Sequence, residues 1–127
     1  MSINLSLILP CYNEEKNISI LYQEFLNIPF EGITAELIFV NNGSKDGTAK
    51  EIDGVIKLNE SKNNNIIVKK VNLYNNDGYG GGIAAGLKDA KGEYIGWAHA
   101  DLQTPLIDVY KLFQIIKNKK KIFGKGF

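Results

Sequence analysis

Apolar residues along this chain come in two rhythms that take turns. Residues 3–10 alternate at Ile3, Leu5 and Leu7, then run apolar through Ile8 and Leu9, which predicts a first strand stopped by Pro10. Cys11 to Glu15 read as a loop, with Asn13 a good N-cap and two acids in the first helical turn. Ile18, Leu21, Tyr22, Phe25 and Leu26 follow one face of a helix, which Pro29 and Gly32 break. The stretch 36–40 (ELIFV) predicts a short buried strand, ended by a dense turn cluster over 41–48. Ile52, Val55 and Ile56 mark a weaker helix interrupted by Gly54, and 59–65 is a polar loop before a third strand at 66–73. The glycine-rich segment 75–82 (NNDGYGGG) then feeds a small-residue helix carrying Ile83, Ala84, Leu87 and Ala90. Tyr94, Ile95, Trp97 and Ala98 form a fourth strand that stops abruptly at His99-Ala100-Asp101. Leu106, Val109, Leu112, Phe113 and Ile116 define a clear amphipathic helix, and 122–127 are expected to begin another element that is cut short.

Strand and helix alternate four times, which predicts an α/β fold with a mostly parallel sheet and helices on both faces. The 127 residues fit one domain, enough to bury an independent core. With 44% hydrophobic and 23% charged residues the composition is that of a soluble globular protein, and a net charge of +1 gives no global field for nucleic acid. The basic cluster 117–121 (KNKKK) reads as a solvated helix end, where cations suit the dipole, with a peripheral membrane-surface contact as the second reading. A single cysteine, Cys11, excludes an internal disulfide framework, fits a reducing compartment and reads as strand-end packing. No leader and no span of about 18 apolar residues is present, so the chain is expected to be cytoplasmic, or at the cytoplasmic face of a membrane.

In an open α/β sheet, ligands bind at the carboxyl ends of the strands. Four such ends are expected to converge: 10–14, 41–46, 75–82 and 99–103. They bring a carboxylate, Asp101, and the chain's single imidazole, His99, to one edge. Asp101 by itself reads first as a solvated turn residue, and the further polar, glycine-containing strand ends shift the balance towards a site. The glycines at 78, 80, 81 and 82 would let backbone approach a ligand and expose N–H groups to an anion, or would serve a flexible turn. Two phosphate motifs fail here. Gly81 and Gly86 have the Walker spacing, but Leu87 stands where Lys is required, and Gly80-x-Gly82-x-x-Ala85 follows the third strand instead of the first. A single Asp beside a diphosphate suits a hard cation, Mg²⁺ or Mn²⁺, which completes its shell with phosphate oxygens and water.

Four segments together resemble the inverting nucleotide-sugar glycosyltransferases of family two, which have the GT-A fold. They are LILPCYNEEKNI at 7–18, ELIFVNNGSKDGT at 36–48, NNDGYGGGIAAGLKDAKGEYI at 75–95 and HADLQTP at 99–105. The last is similar to the DADLQ-x-P metal motif of transferases acting on polyprenyl phosphates, such as dolichyl-phosphate mannosyl- and glucosyltransferases. The resemblance implies a nucleoside diphosphate sugar as donor, a divalent metal, and a polyprenyl phosphate or glycan as acceptor. It implies that Pro10, Tyr12 and Glu14 line the base and ribose, and that Asn42 stands where an Asp reads the base. It further implies that Asp46 shapes the pocket, Gly80 borders the sugar nucleotide, Asp101 ligates the metal and Gln103 lies beside the sugar. Two positions depart from the pattern. Asn41-Asn42 replaces an acid pair, though an amide still offers a donor and an acceptor to a base edge. His99 replaces the first acid of the metal motif, and reads either as a metal or ribose ligand or as a packed strand-end histidine. The acceptor-binding half with its general base is expected beyond residue 127, so the chain reads as the donor-binding part of a transferase or as a nucleotide-sugar-binding module without turnover. An apolar face left for that half is expected to favour a homodimer.

Overall fold

The computed structural model of the protein describes residues 2–62 and 64–118. The order is β1 (Ile3–Cys11), α1 (Ile18–Leu26), β2 (Ala35–Asn42), α2 (Thr48–Glu60), β3 (Ile66–Leu73), α3 (Gly78–Asp89), β4 (Gly92–Trp97) and α4 (Ile107–Asn118). All pairings are parallel and the strand order is β3-β2-β1-β4. The chain thus steps outward from β1 to β3 and then returns across the sheet to the other side of β1. The order reverses between β1 and β4, where an open α/β sheet leaves a crevice.

Side-chain alternation sorts the two faces. Leu5, Leu7, Leu9 and Cys11 of β1, with Leu37 and Phe39 of β2, pack with α1, α2 and α4 in the larger core. Ile8, Ile38 and Val40 turn the other way, towards Ala85 of α3. Both faces of β1 and β2 are therefore covered, which is why these strands read as almost continuous apolar runs. Helices lie on both faces, as the alternation predicts.

Several expected boundaries moved, each for a packing reason. β1 continues through Pro10 to Cys11: its pairing with β4 ends at Ile8–Trp97, so the missing N–H costs no rung on that side. Asn13 is not the N-cap of α1. The helix starts at Ile18 after Asn17, while Asn13 takes a left-handed φ of 53° that asparagine tolerates. α2 runs unbroken through Gly54 because burial of Ile52, Val55 and Asn59 outweighs one glycine. The glycines expected as a loop before 83 are instead the opening of α3. A Cβ on Gly82 would lie 2.9 Å from Pro10 Cβ, and one on Gly86 would lie 2.5 Å from Ile8 Cγ2. The missing side chains let this helix sit directly on β1.

A buried polar cluster fixes β4 in register. Glu36 is fully buried; it accepts from the Ser6 hydroxyl and the Lys91 N–H, both at 2.6 Å, and pairs with Lys69 Nζ at 2.7 Å. Ser6 Oγ in turn accepts from Gly92 N–H. The α3–β4 turn is thereby tied to β1 and β2, which aims the segment carrying His99 and Asp101. At the far end of α4, Lys117 lies over the Phe113 ring at 5.8 Å, in keeping with a helix-end reading of the basic cluster. Residues 119–121 of that cluster, and the element expected at 122–127, lie outside the described residues. Among the described residues no helix is long and apolar enough to cross a membrane.

Candidate functional site

The carboxyl ends of the four strands surround a cavity of about 190 Å³ at the β1/β4 switch point. Pro10, Cys11, Tyr12 and Glu14 come from the end of β1, Asn42 from β2, Asn76 and Tyr79 from the entry to α3, and His99, Ala100 and Asp101 from the segment after β4. Six of the nine residues expected from the sequence line it: Pro10, Tyr12, Glu14, Asn42, His99 and Asp101.

The other three lie around it. Asp46 supports the site from below. Its carboxylate accepts from the N–H and hydroxyl of Thr48, and from the Glu15 N–H at 3.4 Å, while the Thr48 hydroxyl accepts from the Glu14 N–H. Desolvation pushes the Asp46 carboxyl up, but these hydrogen bonds outweigh it and hold the group below the usual carboxylate range. Gly80 is exposed on the first turn of α3. Gln103 is exposed past the lining, its N–H donating to Asp101 Oδ1 at 3.1 Å. In that turn Leu102 takes φ 65°, a strained conformation for a bulky residue, beside the candidate metal ligand.

Asn42, which the resemblance sets where a base is read, has both atoms of its amide bonded within the protein. It is buried, with Nδ2 donating to Gly78 O at 2.8 Å and Oδ1 accepting from Asp77 N–H at 2.9 Å. Asn41 bonds Asn72 and the Ser44 N–H instead. Asn13 reaches across to the β2–α2 loop, accepting from Lys45 N–H and donating its own N–H to Ser44 Oγ. The rim is therefore a set of loops bonded to one another.

Cys11 is inert: its thiol donates to Leu9 O, and burial, then the Glu14 charge, pushes the thiol well up. Glu14 is also raised, first by desolvation and then by the charges of Asp101 and Asp46, against a lowering hydrogen bond from Asn17. Tyr79, which the sequence alone does not single out, stacks on His99 with ring centroids 4.3 Å apart and planes 13° apart. Its phenol is raised by desolvation, then by the Asp101 charge. An aromatic residue inside a glycine run was the one available signal for it.

The lining carries two carboxylates and no Lys or Arg. Among the described residues no group of three His, Cys, Asp or Glu forms a metal cage. That donor set fits a hard cation held by one or two carboxylates and completed by a ligand's own oxygens, and does not fit a closed Cys/His site. The start of α3 adds N–H groups suited to an anion.

Three comparisons bear on this geometry. The family model for Glycosyl transferase family 2 matches residues 6–125. The dolichol-phosphate mannosyltransferase of Saccharomyces cerevisiae is 36% identical over 133 aligned positions, which cover 100% of this chain and 46% of that protein. Among solved structures, the mannosyltransferase PcManGT from Pyrobaculum calidifontis, in complex with GDP-Man and Mn²⁺, superposes with a TM-score of 0.75 at 20% identity, over 92% of this chain and 32% of that one. S. aureus TarS in complex with UDP-GlcNAc gives 0.71 at 24% identity, over 91% and 32%. At these identities the structural likeness establishes the fold, the GT-A arrangement. The chain spans less than half the length of the curated relatives it matches.

Proposed function

Because the chain belongs to glycosyl transferase family 2, we propose that its β1/β4 crevice binds a nucleoside diphosphate sugar together with a divalent cation, as the donor half of a sugar transferase. The observation that carries this reading is the charge pattern of the crevice. Two carboxylates, Glu14 and Asp101, meet there, and no cationic side chain does. A diphosphate entering such a site needs positive charge from elsewhere. Asp101 would hold Mg²⁺ or Mn²⁺ with the ligand's oxygens, with Glu14 or His99 as the second protein ligand. Bound there, the cation would neutralise charge on the departing diphosphate.

The protein's own groups then orient the donor. Pro10 and Tyr12 offer an apolar and aromatic surface to base and ribose. The N–H groups opening α3 would face the phosphates, and exposed Gly80, with open space where a Cβ would stand, keeps that approach free of a side chain. Asp46 acts through Thr48 to hold Glu14. Gln103 stands past Asp101, where the sugar would leave the crevice. The acceptor proposed is a polyprenyl phosphate, by kinship with the dolichol-phosphate mannosyltransferase of yeast. A phosphate acceptor is already ionised, so attack on the sugar makes little demand on a general base.

Titration calorimetry of the chain with UDP, GDP and their sugar conjugates, with and without Mn²⁺, tests the proposal. Binding that requires the metal is expected. Absence of heat with every nucleotide in the presence of Mn²⁺ would overturn it.

A further inference from the structure

The rim holds one contact that runs across the crevice. Tyr79 belongs to the first turn of α3, and His99 follows β4, so their stacked rings join two lips of the switch point. An exposed ring pair of this kind keeps its geometry only if the backbone beneath each ring is held. Beneath Tyr79, Asn42 provides that hold. It is 3% exposed, and its amide gives one donor to Gly78 O and one acceptor to Asp77 N–H, the two residues directly before Tyr79. Gly78 has φ 74°, so the chain changes direction at the residue whose carbonyl Asn42 grips. Gly43, at φ 71°, packs so closely below that a Cβ there would sit 2.3 Å from Asn76 N. β2 thus presents an amide and a bare backbone to the entry of α3.

We infer that Asn42 and Tyr79 are positioning residues for the donor site: Asn42 fixes the backbone at 77–78, that backbone fixes the Tyr79 ring, and the ring fixes the plane of His99 beside Asp101. The inference deepens the donor-site reading and rests on it. One consequence separates it from a base-reading role for Asn42. A carboxylate at 42 keeps the acceptor for Asp77 N–H but sets an oxygen of a buried side chain against Gly78 O, where two acceptors face each other and the donor is lost. An acid at this position, which the family resemblance would suggest restoring, is therefore expected to harm this chain.

His99 is the sole histidine, so its ring protons are a unique NMR probe, shifted by the ring current of Tyr79. Asn42→Asp is expected to move those resonances towards their positions in an unstructured peptide, and to weaken Mn²⁺-dependent binding of the donor nucleotide about tenfold. Tyr79→Leu, at a partly exposed ring that the core does not need, is expected to do the same without loss of folding. Tyr79→Phe should restore the shift and most of the affinity that Tyr79→Leu loses, because the ring, not the hydroxyl, does the positioning. If Asn42→Asp fails to fold, the Tyr79 pair decides the matter. Unchanged His99 resonances in Asn42→Asp, or Tyr79→Phe behaving as Tyr79→Leu does, would overturn the inference while leaving the donor site intact. If the unsubstituted chain binds no nucleotide, the donor-site reading falls, and the His99 resonances alone still report whether Asn42 holds the stack.

Discussion

Two glycine-to-alanine substitutions in this fold are expected to have opposite signs. Alanine for glycine inside a helix stabilises by about 0.5–1 kcal/mol, through the entropy the unfolded chain no longer loses. Gly54 in α2 has no atom within 4 Å of where its Cβ would stand, so Gly54→Ala should realise that gain. Gly86 in α3 faces Ile8, with Cγ2 at 2.5 Å and Cδ1 and Cγ1 at 3.2 Å from the added carbon. Ordinary carbon–carbon contact needs about 3.5–4.0 Å, so α3 or β1 must yield by about 1 Å. Ile8 is fully buried on a central strand and has nowhere to go. Overpacking of this kind costs about 1–3 kcal/mol, which leaves Gly86→Ala destabilised by up to about 2.5 kcal/mol after the helical gain of about 0.5–1 kcal/mol. The two variants should therefore melt on either side of the unsubstituted chain, separated by roughly 4 °C per kcal/mol of difference. Urea unfolding gives the free energies directly. Ile8→Ala should cost less in the Gly86→Ala background than in the unsubstituted chain, a coupling of about 0.5–3 kcal/mol. If Gly86→Ala proved as stable as Gly54→Ala, or the double variant were additive, the close seating of α3 on β1 would be refuted.

Other outcomes follow from the charges of the crevice. Asp101→Asn removes the carboxylate proposed to hold the cation, and should lower Mn²⁺-dependent nucleotide affinity by at least the roughly 10–100-fold that loss of an outer partner costs. Calorimetry that found equal affinity would exclude Asp101 as a ligand. Glu14 is held above the usual glutamate range, chiefly by desolvation, so the folded chain binds that proton more tightly than the unfolded one. Its contribution is favourable below the ordinary glutamate value and is lost as pH rises through the raised one. Glu14→Gln should therefore be more stable than the unsubstituted chain near neutral pH, with the advantage fading as pH falls towards about 4, the ordinary glutamate range. Urea melts across that span check the slope, and an advantage independent of pH would count against the assignment.

The order of elements and the strand ends were legible in the sequence because both are local properties. Period-two and helical spacing are set by neighbours within a few residues, and Asp101 could be placed at a strand end by the abrupt close of the run Tyr94 to Ala98. Six of the residues expected at the site meet there for the same reason: in a parallel sheet every carboxyl end must share one edge. Partnership across long separations decided the rest. Gly82 looks like a loop former, and Gly86 like one more small residue of a helix, until β1 is known to lie against both. That the Asn42 amide grips Gly78, 36 residues away, is visible only once the strands are in place. Tyr79, unremarkable in its glycine run, stacks on His99 only because the β3–β4 crossover returns the chain to the far side of β1. A hydrogen bond or ring contact of that kind depends on the strand order β3-β2-β1-β4, and no local pattern of apolar residues encodes that order.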